Sequence, residues 1–216
     1  MTNSVARRLG IFVIVACSAG LLVGCTSHPI PSPSPTPTSA PGTDNRARPT
    51  QKPVSPATSR QTAIAAATKT ISADDSAFLE IFKGTIPGDS LEGFETGKLL
   101  TQTSDFINAV GDDEGADGAS GEADRWFPDP TKTVVSALTS KGKRYPYATV
   151  QMSGCFQGRW KIDYASNAPT PAPTVGDFFL DRVTVQYQPT RHVWLISEEM
   201  SLNGDQGTPV CPVRTK

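Results

Sequence analysis

The spacing of apolar residues changes near residue 131, which divides the chain beyond residue 60 into a helical part and a strand-rich part. Before this point, apolar side chains recur at intervals of three and four residues, as on one face of a helix. The first set is Ile64, Ile71, Phe78, Ile81 and Phe82, and the second, at about residues 97–110, is Leu99, Leu100, Phe106, Ile107 and Val110. This spacing predicts helices in both segments.

Two local signals refine the helical part. Gly84 is suited to end the first helical segment, because glycine adopts the left-handed conformation that often follows a helix. Ser72-Ala73-Asp74-Asp75 resembles a capping box with Asp in place of Glu. It predicts that the first segment divides into two helices.

Beyond residue 131, polar and apolar positions alternate and β-branched side chains are frequent, which predicts strands. The segments are TKTVVSALTS (131–140), YPYATVQMSGCF (145–156), RWKIDY (159–164), FFLDRVTVQY (178–187) and HVWLISEEMSL (192–202). Gly142 and Gly158 mark hairpins, and Gln188-Pro189-Thr190-Arg191 suits a type I turn with Pro at its second position. Asp129-Pro130 leaves a helix over 131–140 as the alternative for the first segment.

Helices followed by antiparallel strands are typical of an α+β domain in which the helices pack on one sheet. We therefore predict one globular domain over residues 61–216, with N-terminal helices packed on a curved antiparallel sheet.

The N-terminal pattern is that of an export signal. Arg7 and Arg8 precede an apolar run of 16 residues, 9–24. A membrane-spanning helix needs about 20 residues, so the run favours a secretory signal peptide. The Leu-Gly that follows the arginines favours the general secretory route over twin-arginine export.

Leu22-Val23-Gly24-Cys25 resembles the lipobox of bacterial lipoproteins. The resemblance implies cleavage after residue 24 and acylation of the Cys25 thiol, so that Cys25 anchors the chain to the outer face of a cell membrane. Two acyl chains give stable anchoring where one gives only marginal binding. The alternatives for Cys25 are a membrane helix or an ordinary buried or disulfide-bonded cysteine.

Residues 25–60 are predicted to form a disordered stalk of the kind found in a Gram-positive-type envelope. Nine prolines lie between residues 26 and 60, and the segment has no aromatic residue. Such a composition buries too little apolar surface to offset the entropy of ordering. The stalk either lifts the domain through a cell wall or is a featureless tether. The net charge of −1 for the whole chain gives no reason to expect a nucleic-acid partner.

An acidic stretch, GDDEGADGASGEAD (111–124), is predicted to be a solvated loop. It matches an EF-hand in part, with Asp113, Asp117, Gly118 and Asp124 at positions 1, 5, 6 and 12. Gly115 at position 3 offers no side-chain ligand, so we predict no metal site and no cofactor here.

Two cysteines remain in the predicted domain, Cys155 and Cys211. In an exported protein, two thiols are most simply joined in one disulfide. The bond would close a loop of 57 residues, which the chain-entropy model values at about 4 kcal/mol. A reactive thiol, the alternative, needs a companion histidine.

VQMSGCFQGRWKIDY followed by DRVTVQYQPTRHVWLISEEMSLNGDQGTPVC resembles the nuclear-transport-factor-2-like, or ketosteroid-isomerase-like, family. The likeness covers about residues 131–211 and, more loosely, the helices. It implies a curved sheet wrapped around N-terminal helices, with a pocket at the open end. Enzymes of this family use an Asp base with acidic or Tyr partners. A small α+β sheet domain of the immunity-protein type has a similar order of predicted elements.

No catalytic residues are predicted. His28 lies in the stalk, and His192 opens a strand as a surface or packing residue. Asp163, Asp181 and Glu198 are candidate acids that the sequence does not place in a pocket. The aromatic residues Trp126, Phe127 and Trp194 either line a pocket or pack in the core.

The sequence therefore predicts a surface-anchored lipoprotein whose domain is a non-catalytic binding or interaction module. Its predicted partners are the membrane, through Cys25, and a ligand or envelope protein. The alternatives are a small-molecule pocket enzyme of the ketosteroid-isomerase-like type, with a buried Asp in a deep pocket, and an assembly factor, with a contiguous exposed apolar patch.

Overall fold

The computed structural model of the protein describes residues 46–112, 116–164 and 178–202. The predicted signal peptide (1–24), Cys25 and Cys211 lie outside these ranges. Among the described residues, no helix combines the length and the apolar composition needed to cross a membrane.

The first helix, α1, runs without interruption over Arg60–Phe82. It begins at a capping box in which the Thr62 amide donates to the Ser59 hydroxyl at 3.2 Å and the Ser59 amide donates to the Thr62 hydroxyl at 3.0 Å. The predicted division of this segment is wrong. Asp74 and Asp75 are buried in the middle of the helix instead of capping a second one.

Gly84 ends α1 as predicted. Its φ is 71°, in the left-handed region, and its amide donates to the Ile81 carbonyl at 2.9 Å. The Thr85 amide donates to the Glu80 carbonyl at 3.0 Å. Together these two bonds form a Schellman motif, which satisfies carbonyls that the helix itself leaves unpaired.

The chain continues through a 3-10 helix at Gly88–Gly93 and a second α-helix, α2, at Gly97–Asp112. The helix predicted at about 97–110 is confirmed, with its end two residues later.

Four antiparallel strands form the main sheet in the order β2-β3-β5-β6. Their bounds are β2, Arg125–Ser140; β3, Lys143–Gln157; β5, Phe178–Gln188; and β6, Val193–Ser201. The strand predictions for these segments are confirmed, and the helix alternative over 131–140 is wrong. β2 begins before Asp129-Pro130 and continues through both residues, with a register irregularity between Pro128 and Thr133.

Tight turns join β2 to β3 and β5 to β6 in the main sheet. Lys141 and Gly142 connect β2 to β3 with φ values of 47° and 75°, as in the two-residue turns that match the twist of a hairpin. Between β5 and β6, the Arg191 amide donates to the Gln188 carbonyl at 3.1 Å, which confirms the predicted turn.

A second, two-stranded sheet pairs β1 (Ala116–Gly121) with β4 (Trp160–Tyr164). The prediction that residues 111–124 form one loop is therefore wrong: α2 extends to Asp112, and β1 occupies much of the remainder. The pairing requires glycine at residue 121, because a Cβ there would lie 2.3 Å from the Arg159 carbonyl oxygen.

Helix α1 packs on one face of the main sheet, so the predicted α+β class is confirmed. On β5, the buried residues Val183, Val185 and Tyr187 alternate with half-buried ones. They form one apolar cluster with Ala63, Ala67 and Ile71 of α1. A second cluster joins the C-terminal half of α1 to the small sheet, with the Phe78 and Trp160 ring centroids 5.6 Å apart.

An extended segment, residues 46–58, crosses the domain before α1 begins, and we call it the strap. The Arg46 guanidinium donates to the Gly84 carbonyl at 2.7 Å, and Arg48 binds both carboxylate oxygens of Asp89 at 2.9 and 2.6 Å. The stalk prediction includes these residues. In the structure, Arg46 and Arg48 contact residues that follow the C-terminal end of α1.

Candidate functional site

The strap and α1 form the walls of an open groove with a volume of about 730 Å³. We call it the strap groove. Its lining comprises Thr50, Gln51, Lys52, Val54, Ser55, Pro56, Ala57 and Thr58 from the strap; Thr62, Ala66, Lys69, Thr70 and Ala73 from α1; and Phe94 and Trp194.

Phe94 and Trp194 give the groove two buried aromatic residues, and the backbone fixes both. The Ile196 amide donates to the Phe94 carbonyl at 2.7 Å, and the Thr96 amide donates to the Ile196 carbonyl at 2.9 Å. These bonds attach the end of the 3-10 helix to the edge of β6. Both rings are therefore placed by the sheet and not by a loose loop.

Gln51 ties the strap to the same edge. Its side-chain amide donates to the Gly93 carbonyl at 2.9 Å and to the Trp194 carbonyl at 2.6 Å. Two bonds from one side chain fix the distance between the strap and the aromatic residues, which defines the width of the groove.

A third attachment lies at the turn between β5 and β6. The Val54 amide donates to the His192 carbonyl at 2.7 Å, and the Tyr187 hydroxyl donates to the Val54 carbonyl at 3.1 Å. Burial raises the pKa of the Tyr187 phenol above its usual value, and the neighbouring Tyr145 acts in the same direction. At neutral pH, Tyr187 therefore keeps the proton that it donates to the strap.

The charges among the described residues of the strap groove are of one sign. Lys52 on the strap and Lys69 on α1 are both exposed and line opposite walls, and no carboxylate or imidazole is present among the described lining residues. Hydroxyl groups of Ser and Thr and the two aromatic residues make up much of the remainder. Such a lining attracts an anionic group and offers apolar contact beside it.

The acids singled out in the sequence do not lie in this groove. Asp181 is fully buried on β5, on the face that packs against α1, and its register partners are Gly154 and Ser201. Glu198 is exposed on β6 and pairs with Thr184 of β5. The Thr184 side chain points away from the face that packs against α1. Asp163 pairs with Gly118 in the small sheet, and its side chain lies outside the described residues.

His192 also lies outside the lining of the groove. Its φ of 57° is in the left-handed region, and its Nδ1 lies 3.2 Å from the Tyr187 hydroxyl oxygen. His192 is exposed, which agrees with the expected surface position.

The three aromatic residues considered for a pocket lie in three different places. Trp194 belongs to the strap groove, as described above. Trp126 is buried in the core, with its ring centroid 4.4 Å from that of Phe156. Phe127 lies beside Phe178, with 6.5 Å between their centroids.

Four buried carboxylic acids were not predicted as buried or functional from the sequence. They are Asp74, Asp75, Glu95 and Glu199. For the first two, a signal was present: Asp74 and Asp75 follow Ile71 by three and four residues and precede Phe78 at helical spacing, so they share its face. Glu199 is the register partner of buried Val183, and no local pattern marks that face as buried.

The described residues do not form the calcium loop that was considered as an alternative. Asp117 and Gly118 belong to β1, and the Asp124 carboxylate accepts the Arg159 amide at 2.9 Å. Glu122 forms an ion pair with Arg159. Across the described ranges, no group of three or more His, Cys, Asp or Glu side chains is placed to hold a metal ion.

Cys155 is buried on β3, 5% exposed. Cys211 lies outside the described residues, so the pairing of Cys155 with Cys211 stays a prediction.

The sequence matches no family model, and it matches none of the curated proteins with which it was compared. Among solved structures, the intermembrane space region of chloroplast protein ARC6 is similar, with 13% identity and a TM-score of 0.42 over 68% of this chain and 98% of that one. Transfer protein TraH from the Gram-positive conjugative plasmid pIP501 has 8% identity and a TM-score of 0.33, over 70% of this chain and 100% of that one. At these TM-scores, we draw no conclusion about fold or function from either similarity.

Proposed function

We propose that the protein is an extracytoplasmic binding module, held on the outer face of a membrane by Cys25, and that the strap groove is its ligand site. The observation that carries the proposal is the composition of the groove, which Lys52 and Lys69 line together with the buried residues Phe94 and Trp194. Ligand sites are concave, largely apolar and fitted with a few polar groups that set orientation.

The ligand class follows from this lining. Two lysines without a neighbouring carboxylate in the lining attract an anionic group, and the aromatic and alanine side chains offer contact for an apolar part. The proposed ligand is a small organic anion with a flat or chain-like apolar portion. An acidic protein segment fits less well, because only two cations line the groove.

The same lining favours binding over catalysis. General acid–base chemistry needs a group that exchanges a proton near neutral pH, most often His, Asp or Glu. None of these lines the strap groove, and Asp181 lies in the core instead. The exposed large apolar residues of the described ranges, Val54, Val134 and Met200, lie on three separate elements, which does not favour the assembly-factor alternative.

Anilinonaphthalene sulfonate, which joins a sulfonate to aromatic rings, is a suitable probe of the strap groove. Full-length chain carrying C25S is titrated with the dye, and energy transfer from tryptophan is measured. We expect saturable binding that K52Q/K69Q weakens about fivefold, as partly exposed charges contribute up to about 1 kcal/mol. K98Q, which removes an exposed lysine elsewhere, is the matched control and should bind as the parent does.

A steric test distinguishes dye binding in the strap groove from dye binding elsewhere on the protein. Ala73→Trp places a large ring in the groove, while Ala65→Trp places one on an exposed position of the same helix. We expect A73W to abolish dye binding and A65W to retain it, with both variants showing cooperative thermal unfolding. Equal dye binding by the folded A73W variant would overturn the groove assignment.

The membrane anchor is tested separately. Cys25→Ala removes the thiol that receives the lipid in the lipobox interpretation of Leu22-Val23-Gly24-Cys25. Fractionation of expressing cells should then find the protein released from membranes. If the variant stays in the membrane fraction, the anchor proposal fails while the groove proposal stands.

A further inference from the structure

The tip of the hairpin formed by β2 and β3 carries a group of cations that the proposed function does not use. Lys141, Lys143 and Arg144 occupy three of four consecutive positions at the turn, and all three side chains are exposed. Within the described part of the chain, none of the three forms an ion pair. Lys143 Nζ lies 5.3 Å from the ring centroid of Tyr145, the nearest aromatic residue along the strand.

This tip belongs to a longer segment without acidic residues. Between Asp129 and Asp163 the sequence contains six Lys and Arg residues and no Asp or Glu, although the whole chain has a net charge of −1. The register pairs Lys143 with Ser140 and Arg144 with Thr139, so the cross-strand neighbours are neutral too. The positive charge of the tip is therefore not compensated by its own hairpin.

The tip and the start of the strap contact different parts of the domain. Arg46 contacts Gly84, just beyond the C-terminal end of α1. Leu138, Tyr145 and Tyr147, at the base of the tip, pack instead against the apolar cluster that includes Ala63 and Ala67 of α1. The start of the strap and the base of the tip therefore lie beside different parts of α1.

We propose that this hairpin tip binds a phosphate-bearing polyanion. Arg and Lys are the side chains that bind phosphate oxygens, Arg through its planar fork and Lys as a point charge. A narrow convex hairpin suits a flexible polymer that can fold around it, whereas a small ligand needs a concavity. A membrane surface is the alternative that the experiment separates from a soluble polyanion.

The experiment measures binding of inorganic polyphosphate to the full-length C25S chain, with the affinity determined at several salt concentrations. The logarithm of the affinity falls linearly with the logarithm of salt, with a slope set by the number of phosphates neutralised. We expect K141Q/K143Q/R144Q to reduce the slope by about two units and the affinity by tenfold or more. K98Q, outside the tip, is the control for loss of one surface charge, and K143Q is its counterpart within the tip.

Two outcomes would overturn the proposal. One is an equal loss of polyphosphate binding in K98Q and K143Q, which would show that net charge and not the tip determines affinity. The other is tighter binding to phosphatidylglycerol vesicles than to polyphosphate, lost in the triple variant, which would assign the tip to a membrane. Because the tip variants leave Lys52 and Lys69 in place, dye binding in the strap groove serves as the test of folding.

Discussion

The Tyr187 hydroxyl, on the buried face of β5, donates a hydrogen bond of 3.1 Å to the carbonyl of Val54 in the strap. The bond joins residues 133 positions apart in sequence and connects the sheet to one wall of the strap groove. The strap is thus held by the core of the domain as well as by surface contacts.

Tyr187→Phe removes this bond while keeping the ring that packs against Trp194. We expect a loss of about 1 kcal/mol in the free energy of unfolding, typical of one hydrogen bond with a buried partner. We also expect faster proteolysis within residues 50–58. Urea unfolding and limited proteolysis measure both. Unchanged cleavage of the strap would show that Tyr187 does not hold it.

The raised pKa of Tyr187 predicts a specific alkaline instability. The folded state holds the phenolic proton more tightly than the unfolded state does, so the contribution is complete below the usual pKa of about 10. It is lost as the pH rises through the higher pKa of the folded state. The difference in unfolding free energy between the parent and Y187F should therefore shrink above pH 10. A constant difference up to about pH 11 would contradict the assignment.

Gly154→Ala should be strongly destabilising. A Cβ at this position would lie 2.5 Å from the Phe127 carbonyl oxygen and 2.6 Å from Cη2 of Trp126. Relief of both contacts requires the edge strand and the buried indole to move, at a cost of about 1–3 kcal/mol. Gly88→Ala is the control, since its nearest contact would be 3.6 Å from Ile107 Cγ2. Thermal unfolding with tryptophan fluorescence compares the two, and similar melting temperatures would refute the prediction.

Ser59→Ala tests the capping box at the start of α1. Loss of the hydroxyl leaves the Thr62 amide without its acceptor and should cost about 1 kcal/mol. Ser76→Ala removes an exposed hydroxyl in the middle of the same helix and should be neutral or slightly stabilising, because Ala has the higher helix propensity. Chemical unfolding measures the stability of both variants. A lower stability of S76A than of S59A would contradict the role of Ser59.

The predicted disulfide is tested by peptide mapping without reduction. We expect a single peptide pair that contains Cys155 and Cys211. Reduction should then lower the melting temperature. The chain-entropy model gives about 4 kcal/mol as the upper limit of the loss in unfolding free energy for a loop of 57 residues. Recovery of both residues as free thiols would rule the bond out.

The strands of the main sheet were predictable because each has its own alternating pattern. Val183, Val185 and Tyr187 alternate with polar neighbours, so one face is marked as buried without knowledge of the partner strand. Gly84 ended α1 for an equally local reason, since glycine adopts a positive φ at little cost.

Strand β1 was not predictable in this way. Its sequence, ADGASG, has no large apolar residue and no alternation, and it is a strand because β4 supplies hydrogen-bond partners. The predicted division of α1 failed for a related reason. A capping signal at Ser72 is a local preference, and the packing of a continuous α1 on the sheet outweighs it.

The strap groove required the same long-range information. Its lysines and aromatic residues lie at positions 52, 69, 94 and 194, and no spacing in the sequence relates them. The sequence by itself determined the α+β class, the strands of the main sheet and the end of α1, because hydrophobic period and turn chemistry are local properties. Only the tertiary structure decided which polar residues are buried, where the strap lies and which side chains face one another, because those depend on contacts between distant segments.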